Sequence, residues 1–221
     1  MRAVDEIRDP WLPDRLLRTE RDALMPLLRR TPAAAYELRT ACPGWTVRQV
    51  LAHCAAALVR IVEGRLEEGV FLPEANACDV AEREDWPLPR ILDELERGLT
   101  EAGPQIASGD GALDAVALGE WVHAGDVREA FGESGAYGGE SLRLALPLLR
   151  TTSRKRETPR LVAEINGYTG LFVLGGEVAG RPAARFHGDA ATLVRLYSGR
   201  PLVATRYELT GATEGELLIY R

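Results

Sequence analysis

The sequence predicts an α+β protein: an N-terminal bundle of amphipathic helices followed by a small mixed α+β domain. Three observations carry this expectation. Apolar residues recur at helical spacing through the first two-thirds of the chain. From about residue 158 the rhythm changes to short apolar runs separated by glycine-containing turns. The charge changes with it. Residues 1–150 hold 17 basic and 26 acidic residues, a net −9, whereas residues 151–221 hold 10 and 7, a net +3. The expected organisation is a helical bundle over 1–138, a connecting helix and linker over 139–157, and a small α+β domain over 158–221.

The first helix is expected over Asp14–Arg30, where Leu16, Leu17, Leu24, Leu27 and Leu28 form one stripe. Pro32 and the Cys42-Pro43-Gly44 turn interrupt the pattern. Thr46 then stands as an N-cap with Gln49 three residues on, a capping-box signature. The helix it opens is expected to run to about Glu68, with Val50, Leu51, Leu58, Val59 and Ile61 in the core. Further helices are expected over Leu88–Gln105 and Leu113–Phe131, with a shorter one over Ser141–Arg150. In the last third, Leu161–Ile165, Leu171–Leu174 and Ala184–Phe186 read as strands. Asp189 caps a helix over Ala190–Tyr197 that Gly199 can end. Residues 203–209 and 216–220 are the remaining strand expectations.

Composition excludes several classes of protein. With 46% hydrophobic and 27% charged residues in 221, the chain can bury a sizeable core, and global disorder is disfavoured. The apolar stretch Val50–Val59 is interrupted by His53 and falls far short of the roughly 20 residues a membrane span needs. Met1–Glu6 holds no apolar signal core, so a cytoplasmic location is expected. Three cysteines, Cys42, Cys54 and Cys78, fit neither a disulfide framework nor a zinc knuckle and read as reduced thiols. No concentrated basic stripe is present, which argues against nucleic acid as a partner.

The chemistry rests on three histidines, few enough to weigh singly. His53 lies in the apolar second helix, where an unpaired imidazole would cost about 1–3 kcal/mol. His123 lies in the helix before the glycine-rich turn, and Glu120 and Asp126 sit about 60° to either side of it on the same face. Two bundle helices can aim two imidazoles and a carboxylate at one interior point, and such a set with an open position suits a catalytic zinc. Spacing alone leaves a second reading open, in which the histidines are satisfied core residues and the acids a solvated face. His187 reads as a turn residue. Cys54 beside His53 does not make a nucleophile–base pair, because adjacent helix positions point about 100° apart.

The segments Cys42-Pro43-Gly44-Trp45-Thr46 through His53, and Glu120-Trp121-Val122-His123-Ala124-Gly125-Asp126 through Gly132, resemble two signatures of the mycothiol-dependent maleylpyruvate isomerase family, within the DinB superfamily. Phe186-His187-Gly188-Asp189 through Leu193, with Ser198-Gly199-Arg200, resembles a third in that family's C-terminal domain. The resemblance implies a DinB-like four-helix bundle carrying a divalent metal, usually zinc. It also implies mycothiol as the thiol cosubstrate and a small-molecule electrophile as the other partner. His53 and His123 match the two histidine ligands. The family's carboxylate stands four residues before the second histidine, where this chain has Gly119. Glu120 is therefore the expected third ligand, with Asp126 as an alternative ligand or as support behind His123. Arg200 matches an arginine of the second domain and is expected to reach the cleft and anchor a substrate carboxylate. The implied activity is a mycothiol S-transferase, with a cis–trans isomerase or a catalytically silent relative as alternatives. A monomer or homodimer is expected.

Overall fold

The computed structural model describes residues 8–202 and 204–220; the reading of Met1–Glu6 lies outside them. Seven α-helices and a four-stranded mixed sheet build the α+β fold. Helix α1 spans Leu12–Arg30 and α2 spans Val47–Val62. The capping box forms as expected: the Gln49 N–H donates to Thr46 Oγ1, and Gln49 Oε1 accepts from the Thr46 N–H at 2.9 Å. The helix stops six residues short of the expected Glu68. Glu63 already caps it, and Gly64 takes a left-handed φ of 67° that no longer continues an α-helix.

An unexpected helix, α3, follows over Pro73–Glu82, opened by a proline in its first turn. It is tied to α2 by a buried ion pair, with Arg60 Nη1 and Nη2 reaching Asp79 at 3.1 and 2.5 Å. Helices α4 (Leu88–Ser108) and α5 (Asp114–Ala130) complete a four-helix bundle with α1 and α2. Close approach of α2 and α4 requires glycine at 98, since a Cβ there would lie 2.5 Å from the Leu58 Cβ.

Helix α6 spans Leu142–Lys155, so the Arg154–Arg156 segment forms its last turn and cap rather than a free linker. Strands β1 (Leu161–Ile165), β2 (Leu171–Leu174), β3 (Ala184–Gly188) and β4 (Tyr207–Thr210) follow, in sheet order β2-β1-β3-β4. Only the β1–β3 pair is parallel. Helix α7 (Ala190–Ser198) is capped by Asp189 and ended by Gly199 at φ 67°. Residues 216–220 form no strand. Glu214–Leu217 is a 3-10 turn instead, closed by a capping box in which Thr213 donates to Glu216. His187 stands inside β3 rather than in a turn, exposed between the buried Phe186 and Gly188.

Two apolar cores result, and α5 separates them. Ala117, Ala124 and Val127 face the bundle core. Leu118, Trp121 and Val122 pack into a second core shared with α6, α7 and the sheet. A helix covered on both sides has no solvated face, so Glu120 and Asp126 are buried. Among the described residues, no helix is long and apolar enough to cross a membrane.

Candidate active site

A cavity of about 350 Å³ opens beside α5, and His53, Glu120, His123 and Arg200 all line it. Its walls come from α2, α5, the start of α3, the end of α6 and the C-terminal segment at Tyr220. The imidazoles of His53 and His123 meet edge to face with ring centroids 5.3 Å apart, and the Trp45 ring covers both at 5.1 and 6.4 Å.

Each side chain is held differently. His53 is buried, its Nδ1 has no hydrogen-bond partner, and the nearest acid, Asp79 Oδ2, is 4.0 Å away. Burial, with the nearby His123, Arg60 and Arg200, pushes its pKa down to about 3, so the ring is a neutral donor at any physiological pH. His123 Nδ1 lies 3.1 Å from Asp126 Oδ2. A carboxylate only accepts, so Nδ1 carries the proton and Nε2 is the free acceptor of the ring. Arg200 Nη2 is 3.3 Å from the same Nδ1 and adds no hydrogen bond in that tautomer.

Asp126 is fully buried and fully engaged. Arg200 Nε donates to both carboxylate oxygens at 2.9 and 3.0 Å, Arg200 Nη2 donates to Oδ2 at 2.7 Å, and the Tyr137 hydroxyl donates to Oδ1 at 2.6 Å. Burial would raise this carboxyl, but the hydrogen bonds and charges of His123 and Arg200 outweigh it and hold the group below the ordinary carboxylate range. Arg200 Nη1 donates to the Ser198 carbonyl at 2.9 Å. The expected free fork for a substrate carboxylate is therefore absent: Asp126 occupies it.

Glu120 is the opposite case. It is buried, burial pushes its pKa up to about 8, and among the described residues the one side chain that hydrogen-bonds it is the Cys54 thiol. No cation pairs with it among the described residues. Gly119 has a steric partner at the chain's far end, since a Cβ there would lie 3.4 Å from the Tyr220 hydroxyl oxygen. That hydroxyl donates to the Ala115 carbonyl at 3.0 Å. A longer side chain at 119 would have to displace the tyrosine.

Sequence reasoning gave no site role to Cys42, Tyr137, Asn76, Arg156 or Tyr220. Cys42, His123 and Asp126 offer donor atoms within 4.8 Å of one another. The Arg200 charge on Asp126 opposes a cation there, so these three do not make a metal centre of their own. His53, Glu120 and His123 line one cavity, but among the described residues their donor atoms do not all lie within 4.8 Å of one another. A neutral His53, the His123 ring and an uncompensated buried carboxyl offer the donor types a divalent ion takes.

Residues 17–132, more than half of the chain, match the family model of the mycothiol maleylpyruvate isomerase N-terminal domain. The chain belongs to this family. A crystal structure of the mycothiol-dependent maleylpyruvate isomerase has the same fold, with TM-score 0.58 and 16% identity over 93% of this chain and 95% of that one. A histidine-to-alanine mutant of the isomerase superposes with TM-score 0.57 at the same identity and coverage. No curated protein matches the chain. As a member of the mycothiol maleylpyruvate isomerase family, the chain places His53 and His123 on one cavity, with Gly119 and Tyr220 packed together beside them.

Proposed function

We propose that the chain is a metal-dependent thiol enzyme of the mycothiol S-transferase type, with His53, Glu120 and His123 as the metal ligands. The single observation that carries this reading is that two imidazoles, His53 and His123, share one cavity with a buried carboxyl, Glu120, that lacks a cation among the described residues. Family membership supports mycothiol as the thiol.

A divalent ion held there, zinc by the chemistry of the donors, supplies a Lewis acid that lowers the pKa of a bound thiol. The remaining work falls to the chain. Asp126 fixes the tautomer and orientation of His123, as a carboxylate behind a ligating histidine does. Arg200 and Tyr137 hold Asp126 in place. Ala57, Phe71, Val116 and Val122 give the cavity an apolar wall that limits water. In the transfer reaction the thiol proton leaves, a sulfur–carbon bond forms, and the electron pair departs with the leaving group of the electrophile. The same thiolate adding reversibly to a conjugated double bond would allow rotation and re-elimination, so an isomerase is the second reading, favoured by the fold neighbours.

The reading is tested by metal content after mild purification, then by conjugate formation with mycothiol and an alkyl halide. About one zinc per chain and a sulfur-linked product are expected. Glu120→Gln should weaken zinc binding more than Asp126→Asn, whose supporting contact typically accounts for about 10–100-fold in affinity. A chain that binds no divalent metal even when reconstituted rejects the proposal.

A further inference from the structure

Two arginines line the cavity, and they are in different chemical states. Arg200 is spent: its guanidinium bonds Asp126 and the Ser198 carbonyl. Arg156 caps the C-terminal end of α6, is exposed, and makes no side-chain hydrogen bond or ion pair among the described residues. Its charge acts on Tyr220, which lines the same cavity. Its planar, permanently charged fork therefore faces the cavity unfilled.

We propose that Arg156 is the anion anchor of the cavity: it selects electrophiles that carry a carboxylate, while Arg200 is a positioning residue for Asp126 and His123. This inference rests on the cavity being the electrophile site, as proposed above. One free guanidinium matches one negative charge in bidentate geometry, which fits a carboxylate better than a doubly charged phosphate. The apolar wall of Ala57, Phe71 and Val116 fits a hydrophobic body behind that carboxylate. Glu120 stands on the same wall, and its charge is opposed by a ligated cation when one is present; Arg156 then orients the anion away from Glu120.

Two measurements test the assignment. In the first, the zinc-loaded protein is supplied with mycothiol and either 4-(bromomethyl)benzoate or its methyl ester; sulfur replaces bromide in both, and the thiol proton passes to solvent. The ratio of kcat/KM for the acid to that for the ester should fall about 10–100-fold in Arg156→Ala, mainly through KM, and recover in part in Arg156→Lys. An unchanged ratio overturns the assignment. In the second, benzoate and its neutral isostere benzamide are titrated against the metal-free protein while the arginine side-chain NMR signals are followed. Benzoate should shift the Arg156 signal, benzamide should not, and Arg156→Ala should weaken benzoate alone. If wild-type protein turns over neither electrophile, the thiol-enzyme reading fails while the benzoate titration still decides on Arg156. Turnover of the acid with no response of Arg156 to benzoate removes the anchor and leaves the enzyme reading standing.

Discussion

Glu120 shows how a single buried carboxyl can tie stability to pH. Its pKa is 4.5 in the unfolded chain and about 8 in the fold, because burial disfavours the anion. Below pH 4.5 the group is protonated in both states. Between about 4.5 and 8 the fold holds a proton that the unfolded chain has released, so the metal-free protein should lose stability as pH rises through that window and level off above it. Denaturant titrations from pH 5 to 9 should show that slope, and Glu120→Gln should flatten it. Zinc binding should run the other way and strengthen up to about pH 8, because the ligand must lose its proton first. The contrast with Asp126, whose cationic neighbours hold it ionised, could not be read from spacing. Both acids flank His123 symmetrically along the helix; the neighbours that distinguish them, Arg200, Tyr137 and Cys54, come from elsewhere in the chain.

At the scale of elements, local signals were legible where a cap or a strong stripe existed. Thr46 and Gln49 located the start of α2, and Asp189 and Gly199 bracketed α7. Thr46→Ala should cost about 1 kcal/mol, and the urea midpoint should fall without a change in slope. The misses share a physical cause. Helix α3 buries almost only Asp79, so it has no apolar stripe to betray it; its place is set by the ion pair with Arg60. Leu217 and Ile219 are buried with the alternation of a strand, yet 214–217 turn as a 3-10 helix, because Leu217 enters the core through a capping box and no edge pairs with the segment. His53 was legible because the Thr46–Gln49 box and apolar neighbours fix the face of α2, whereas α5 has no side-chain cap and His123 stood out only by its apolar neighbours and flanking acids. Arg156 and Tyr220 carry no local pattern, and only the closing of the chain on itself brings them to the cavity.

The whole molecule is joined across its parts by Arg200 and Asp126, with the arginine side chain 10% exposed and the aspartate 0%. Removing one partner of a buried pair leaves the other charge uncompensated, so Arg200→Ala should destabilise the fold by about 3 kcal/mol as well as disturb His123. Calorimetry on Arg200→Ala and Arg200→Lys will check this, and a surface arginine would show no such loss. The placing of α5 between two cores also has a consequence for synthesis. The chain leaves the ribosome bundle first, and Leu118, Trp121 and Val122 then lack most of their core until α6, the sheet and α7 follow. The nascent bundle thus carries a sticky flank for as long as the remaining third takes to emerge, and Trp121 waits for Ser141 to accept its Nε1 proton. A chain stopped at residue 138 should bind an apolar dye such as anilinonaphthalene sulfonate strongly and enlist chaperones, where the complete chain does neither.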